Sequence, residues 1–291
     1  MVAIADGVKT GRMSIRDVSL YVDIVGQGYP LLLMHGGPGA DHWTLRALRR
    51  CADRFTMVFY DHRCNGRSDG AVSSMTWDNL TADADALRER LGIQRWAVLG
   101  HSFGGCVALE YALRYPDRLS HLILLDTGAD SRWWRENALE VLRRRGYSRQ
   151  KVELVRRWFA GEFQPGEFMP ILMRIGGAYA YRPILGAIRT LVHGGWRTKT
   201  RPEALIFAGR HLLKDWSVTE RLGEIAVPTL VIAGVHDFLF PPECQRQLAA
   251  GLPNAQLELI ERAGHNPHDE RPAAVMPAIR RFFAANPPQQ P

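Results

Sequence analysis

The pentapeptide G-H-S-F-G at residues 100–104 constrains the fold of this chain more than any other feature. An apolar run, Trp96–Leu99, precedes it, and a segment with a helical pattern, Gly105–Tyr115, follows it. A G-x-S-x-G sequence between a strand and a helix predicts a nucleophile elbow, a turn so tight that small residues must flank the serine. Such a turn presents the hydroxyl at the end of a sheet, so Ser102 is the candidate nucleophile.

Three further segments each follow a predicted strand: H-G-G-P-G at residues 35–39, Asp237 and His265. Open parallel sheets place their sites at the carboxyl ends of the strands, so we expect these segments to meet Ser102. A serine hydroxyl needs a base, and that base needs a carboxylate to orient it. His265 is therefore the predicted base and Asp237 the predicted acid.

Other residues compete for both roles. Asp126 also follows a predicted strand, but Asp237 is favoured because its strand comes just before the strand and loop of the histidine, and because G-V-H-D at residues 234–237 fits a G-x-x-D pattern. Of the other nine histidines, His101 lies inside the elbow and is expected to point away from the nucleophile. We expect His236 and His268 at the rim of the pocket or on the surface.

The predicted reaction also needs donors for a negatively charged oxygen. One donor is expected to be the backbone N–H of Phe103, directly after the nucleophile, and the other that of Gly37. No Walker loop, no G-x-G-x-x-G sequence and no recognised metal-ligand spacing occurs, so we expect neither a cofactor nor a metal. An acyl transfer to water is the chemistry that this set favours.

The composition fits one large unit with an insertion: 291 residues, of which 46% are hydrophobic. No apolar run approaches the roughly 18 residues that a membrane helix needs. Residues 1–10 lack the pattern of a signal peptide. The four cysteines show no paired or metal-binding spacing, so we expect reduced thiols in a cytoplasmic protein.

Strand and helix patterns alternate along most of the chain and predict an α/β fold with a mostly parallel sheet. Residues 13–24 alternate at period two and predict an N-terminal hairpin strand. The alternation breaks after the sixth strand, where arginine-rich helical segments carry many aromatic residues. We therefore expect a core of residues 1–129 and 217–291, with a helical cap at 130–216 whose aromatics, Trp196 among them, partly line the pocket.

The charge is concentrated in the predicted cap. Residues 131–216 hold 17 Lys and Arg against 7 Asp and Glu, a net of +10 where the whole chain carries +7. No nucleic-acid motif accompanies this charge, so a solvated helical surface is the favoured interpretation. We expect a small-molecule substrate and neither a nucleic-acid nor a membrane partner, while the oligomeric state stays open.

The chain resembles the α/β-hydrolases over nearly its whole length, most specifically at residues 35–39, 61–68, 100–105 and 264–265. The order Ser, acid, His is the order of that fold. H-G-G-P-G and D-H-R-C-N-G-R-S at 61–68 resemble the prolyl iminopeptidase group. The resemblance implies an α/β-hydrolase fold with a cap after the sixth strand and a serine hydrolase activity.

The departures from the iminopeptidase pattern bear on the substrate. Cys64 stands where that group has glycine, and the elbow G-H-S-F looks more like general esterases. Ile206 occupies the position of a cap glutamate that holds the substrate ammonium in that group, although Glu203 lies nearby. We therefore expect a small ester or lactone, with an aminopeptidase or amidase as the alternative. A non-catalytic ligand-binding protein is the third hypothesis, because a fold alone proves no activity.

Overall fold

The structure, a computed structural model, describes residues 10–192 and 197–288. Eight strands form one sheet: β1 Thr10–Ile15, β2 Val18–Val25, β3 Tyr29–Met34, β4 Phe55–Tyr60, β5 Trp96–His101, β6 Leu119–Leu125, β7 Thr229–Gly234 and β8 Ala255–Ile260. Their order across the sheet is β1-β2-β4-β3-β5-β6-β7-β8. β2 is antiparallel to β1 and β4, and the other neighbours are parallel. The mostly parallel α/β sheet expected from the sequence is confirmed.

The described residues form ten α-helices: α1 Trp77–Arg90, α2 Phe103–Arg114, α3 Ala138–Arg144, α4 Arg149–Ala160, α5 Phe168–Ile175, α6 Pro183–Val192, α7 Pro202–Phe207, α8 Pro242–Gly251, α9 Pro267–Glu270 and α10 Pro272–Ala285. A 3₁₀ helix, His42–Cys51, lies between β3 and β4. Within the described ranges, no helix combines the length and the apolar character that crossing a bilayer requires.

The central strands are buried on both faces of the sheet. Trp96 and Val98 of β5 belong to the hydrophobic cluster on one face, whereas Ala97 and Leu99 belong to the cluster on the other. Successive side chains of a strand point to opposite faces, so a strand covered on both sides must be apolar throughout. This packing explains the unbroken apolar runs of the sequence.

Local signals predict some elements closely and one poorly. α1 begins after Thr76, whose side chain accepts a hydrogen bond from the N–H of Asn79 as an N-cap does. The alternating stretch at residues 13–24, expected to be one strand, is two strands joined by a turn in which Arg16 has a φ of 53°. The alternating pattern continues through this tight turn, so the turn leaves little trace in the sequence.

The chain between β6 and β7 is helical in its described part. Trp158 packs on Phe163 and Phe168 with ring centroids 5.3 and 4.9 Å apart, so these three aromatics form a core of their own. Trp196, which the sequence also marks as a cap aromatic, lies outside the described residues. The cap boundaries at residues 130 and 216 stay a prediction.

Candidate active site

Ser102 lies in the turn between β5 and α2 with a φ of 52° and a ψ of −119°. A non-glycine residue rarely adopts this conformation, and it persists only where the surroundings hold it. Small neighbours make the turn possible, because a Cβ on Gly104 would lie 2.0 Å from the backbone oxygen of Met34. The strand, sharp turn and helix expected around G-H-S-F-G are all present.

Two hydrogen bonds link Ser102 to a buried carboxylate. His265 Nε2 lies 2.9 Å from Ser102 Oγ, and His265 Nδ1 lies 2.8 Å from Asp237 Oδ2. The other oxygen of Asp237, Oδ1, accepts the N–H of Leu239 at 2.9 Å. A carboxylate at Nδ1 favours the tautomer with the proton there, which leaves Nε2 free to accept the serine proton. The structure thus brings together the three side chains predicted from the sequence.

The loop that carries His265 is fixed from two sides. The backbone N–H of His265 donates to the carbonyl of Tyr179 at 2.7 Å, and Tyr179 belongs to the chain between β6 and β7. His101 Nε2 lies 3.0 Å from the carbonyl oxygen of His265, to which it donates. His101 therefore supports the histidine loop rather than acting on Ser102. Sequence reasoning found His101 but gave it no role.

The glycine loop at residues 35–39 contacts the nucleophile. A Cβ on Gly36 would lie 3.0 Å from Ser102 Cβ and 2.6 Å from His101 Nδ1, so only glycine fits there. Phe103 is the first residue of α2, and the first N–H groups of a helix have no acceptor within the helix. This arrangement leaves the N–H groups of Gly37 and Phe103 as candidate oxyanion donors, and that role stays a prediction.

The loop at residues 61–68 braces the glycine loop. Asn65 Oδ1 accepts the N–H of Gly39, and Asn65 Nδ2 donates to the carbonyl of Arg63 at 2.7 Å. Asp61 accepts the N–H groups of His42 at 2.9 Å and Arg67 at 2.8 Å. The sequence marks this loop only through its resemblance to iminopeptidases. The contacts of this loop explain why it matters for the site, because they fix the segment that carries Gly37.

Cys64 has a φ of 64°, in the left-handed region that favours glycine. The conformation explains why the resembling motif has glycine at this position. Here the thiol Sγ lies 2.9 Å from the carbonyl oxygen of Ala71, to which it donates. The four cysteines are buried and unpaired: Cys51, Cys64, Cys106 and Cys244.

The competing histidines differ in their surroundings. His236 is half-buried and its ring lies 4.4 Å from that of Tyr181, consistent with a place at a rim. The expectation for His268 is wrong, because its side chain is fully buried and Nε2 lies 2.9 Å from the carbonyl oxygen of Thr44. His268 lies in the first turn of α9, where Pro267 and His268 are both buried. A polar histidine does not by itself predict burial from the sequence.

Asp126, the rival acid, lies beside Asp237 rather than replacing it. Asp126, Asp237 and His265 each have one side-chain oxygen or nitrogen within 4.8 Å of the other two. Among the described residues, this is the group whose spacing could suit a metal ion. His265 and Asp237 already bond each other there, so the chemistry of a hydrogen-bonded pair accounts for their approach. Asp126 Oδ1 instead accepts the N–H of Gly234 at 2.9 Å.

An arc of aromatic rings leads from the histidine back to the elbow. Each ring lies within 6.3 Å of the next, and the members in order are His265, Phe240, Trp134, Trp216, Trp77 and Phe103. The indole N–H of Trp216 donates to Glu110 at 2.7 Å, which fixes that ring. Sequence reasoning listed Trp134 among the cap aromatics but missed the arc, because its six members come from six separate places along the chain.

An open cavity of about 520 Å³ adjoins this aromatic arc at Trp77 and Trp216. Its remaining lining contains Arg210, Lys214 and one carboxylate, Asp215, together with His211 and Leu212. The cavity walls therefore carry more positive than negative side chains, as the charge of the predicted cap indicates.

A strained serine bonded to a histidine that a carboxylate in turn orients, at the carboxyl edge of a doubly wound sheet, is typical of the α/β-hydrolase class. Residues 29–272 match the family described as the alpha/beta hydrolase fold. The chain belongs to this family and is a hydrolase-family enzyme.

Three similar proteins have names that point to different substrates. A proline iminopeptidase of Pestalotiopsis fici is 27% identical over 86% of this chain and 90% of its own. A 2-hydroxy-6-oxo-6-phenylhexa-2,4-dienoate hydrolase of Comamonas testosteroni is 27% identical over 88% of both chains. The solved structure of an esterase from Thermogutta terrifontis has a TM-score of 0.69 at 27% identity, over 96% of this chain and 99% of that one.

Proposed function

We propose that this protein is a serine hydrolase that cleaves a small carboxylic ester or lactone through an acyl-enzyme on Ser102. The observation that carries the proposal is the continuous hydrogen-bond chain from Ser102 through His265 to Asp237. A serine at a strained elbow, with a base and an orienting acid in contact, is arranged for nucleophilic attack on an acyl carbon.

In acylation, Ser102 Oγ attacks the acyl carbon while His265 Nε2 takes the hydroxyl proton. Backbone N–H groups of Gly37 and Phe103 donate to the oxygen that becomes negative. The imidazolium then gives its proton to the leaving oxygen as the carbon–oxygen bond breaks. In deacylation, water attacks the acyl-enzyme, His265 takes the water proton, and Ser102 leaves with its proton restored.

The cap side chains favour an ester over an unblocked amino-terminal amide. A substrate ammonium bound in a buried pocket needs a carboxylate beside it. Ile206 occupies the position where the iminopeptidase pattern has glutamate, and Glu203 is engaged otherwise. The Glu203 carboxylate pairs with Arg201 at 3.1 Å and its side chain is 47% exposed.

The side chains near the site favour a substrate whose acyl group is neutral or negatively charged. The aromatic arc is apolar, and the N–H of its Trp216 is already bonded to Glu110. Arg210 and Lys214 in the adjoining cavity attract negative rather than positive groups. Ester substrates with small apolar or carboxylate-bearing acyl parts fit these surroundings best.

A prolyl iminopeptidase-like activity is the second candidate, and a specific observation favours it. The H-G-G-P-G loop contacts Ser102 at Gly36, and a relative that is 27% identical carries the name proline iminopeptidase. A non-catalytic ligand-binding protein is the third candidate, and the intact hydrogen-bond chain argues against it.

Hydrolysis of p-nitrophenyl acetate and butyrate, compared with the p-nitroanilides of proline and alanine, separates these candidates. We expect the esters to give the higher kcat/KM after subtraction of the rate measured for Ser102→Ala. Glu203→Gln should behave like Glu220→Gln, a matched change at an exposed position. Efficient release of unblocked proline, lost on N-acetylation and in Glu203→Gln alone, would establish the iminopeptidase instead. A folded protein inactive on every substrate would favour a binding role.

A further inference from the structure

Asp126 is a fully buried carboxyl group that the proposed mechanism does not use. It directly follows β6 with a φ of 43°, and its backbone N–H donates to the carbonyl of Ile232 at 2.9 Å. Its Oδ1 accepts the N–H of Gly234 at 2.9 Å. Its Oδ2 is buried and has no hydrogen-bond donor among the described residues. A buried carboxylate oxygen without a donor is costly, so this oxygen calls for an explanation.

The titratable groups that face Asp126 come from the loops after β7 and β8 and from α9. Asp237 and His265 lie with Asp126 in a cluster whose ligand atoms are within 4.8 Å of one another. Glu270 adds a third carboxyl, which accepts the N–H groups of Gly264 and Tyr181, each at 2.8 Å. Burial, followed by the negative charge of Asp237, raises the pKa of Asp126 well above its usual range.

We propose that Asp126 is a positioning residue that stays protonated and donates a hydrogen bond from its carboxyl oxygen Oδ2 to the carboxylate of Asp237. The donor satisfies the otherwise unpaired oxygen and adds a third hydrogen bond to Asp237, beside those from Leu239 and His265. Asp237 is thereby held in the orientation that His265 requires. The inference deepens the proposed function, on which it rests for its kinetic readout.

The distinguishing variant is Asp126→Asn. The amide keeps an acceptor for the N–H of Gly234 and a donor for Asp237, carries no charge at any pH, and tolerates the left-handed backbone. Asp126→Ala removes both groups at the same backbone position. For both variants and wild type, the rate of Ser102 labelling by a fluorophosphonate is measured as a function of pH. This rate requires no knowledge of the substrate, and its fall at low pH is called the acid limb below.

If Asp126 is a neutral donor, Asp126→Asn leaves the acid limb of the labelling profile within about 0.3 pH units of wild type. Asp126→Ala deprives Asp237 of a donor, so the carboxylate binds the imidazolium more strongly and the acid limb moves upward by about half a pH unit. In Asp126→Ala the labelling rate at the pH plateau falls about tenfold. In Asp126→Asn that rate stays at the wild-type level. A role confined to folding would leave the position of the acid limb unchanged in both variants.

An ionised Asp126 gives the opposite result for asparagine. Removing a negative charge within 4.8 Å of the imidazole would lower the acid limb by about 2.5 pH units at an effective dielectric constant near 20. A downward shift of one unit or more in Asp126→Asn therefore overturns the proposal. An alanine variant with the wild-type limb and rate overturns it as well.

Equilibrium unfolding gives a readout that survives failure of the proposed function. A carboxyl whose pKa is raised in the folded state stabilises the protein fully below its unfolded pKa, and that contribution is lost as pH rises through the folded pKa. Between these limits the unfolding equilibrium constant of wild type rises about tenfold per pH unit relative to Asp126→Asn. Parallel curves for the two proteins from pH 5 to 8 would refute a protonated Asp126, whether or not Ser102 reacts.

Discussion

Asp237→Asn should lower kcat by about 10⁴, because the change reverses the direction of one hydrogen bond. Besides the donor proposed at Asp126, the carboxylate of Asp237 accepts the N–H of Leu239 at Oδ1 and the Nδ1–H of His265 at Oδ2. An asparagine side chain has one acceptor oxygen and one donor nitrogen. The N–H of Leu239 can only donate, so the amide oxygen must face Leu239 and the amide N–H₂ must face His265.

The imidazole then has to accept at Nδ1 and carry its proton on Nε2. A protonated Nε2 faces Ser102 Oγ, 2.9 Å away, and cannot take the serine proton. The wrong tautomer in such a triad costs about 10⁴ in kcat, equivalent to about 5.5 kcal/mol in the barrier. The loss should fall on kcat rather than KM, because no contact with bound substrate is removed.

Steady-state hydrolysis of p-nitrophenyl butyrate by wild type, Asp237→Asn and Asp126→Asn tests this reasoning. Asp126 is the matched control because it is equally buried and lies in the same cluster. Its asparagine variant keeps the neutral donor and should therefore stay within about threefold of wild type, and thermal unfolding should show that both variants are folded. A loss of less than tenfold in Asp237→Asn refutes the tautomer argument, and a larger loss in Asp126→Asn identifies Asp126 as the acid.

Two further predictions concern the loops around the site. Gly36→Ala places a methyl group 3.0 Å from Ser102 Cβ and should lower kcat by about 10², whereas Gly223→Ala meets no atom within 4 Å and should change nothing; equal rates in the two variants would contradict the close contact. Arg63→Met removes the buried partner of Asp83 at 2.6 Å and leaves it only the partly exposed Arg16 at 2.9 Å, so the free energy of unfolding should fall by about 2–3 kcal/mol in urea titrations. Arg12→Met breaks an exposed pair and should cost about 1 kcal/mol or less, so similar losses for both arginines would count against the burial argument.

The sheet and the elbow could be predicted because their signals are local. A strand covered on both faces must be apolar at every position, as β5 is, and a tight turn at Ser102 must have glycine at its flanks. The order of Ser102, Asp237 and His265 along the chain was also sufficient to predict that they meet. Each follows one of the parallel strands of the sheet, so topology brings them to the same edge.

The remaining features depend on contacts between distant segments. The hydrogen bond from Gly39 to Asn65 spans 26 residues, and no local pattern records it. The burial of His268 and the proximity of Asp126 to Asp237 likewise arise only when separate loops pack together. Sequence reasoning treated Asp126 as a rival of Asp237, whereas their proximity suggests that one supports the other.

Labelling with a fluorophosphonate probe, followed by intact-mass and peptide analysis, tests the central claim most directly. The account predicts one adduct on wild type, located on Ser102, because this serine alone is proposed to contact a base oriented by a carboxylate. Ser102→Ala should unfold at the wild-type temperature and take up no probe. Labelling that persists in the folded Ser102→Ala protein, or a folded wild type that takes up no probe, would contradict the assignment of Ser102 as the nucleophile.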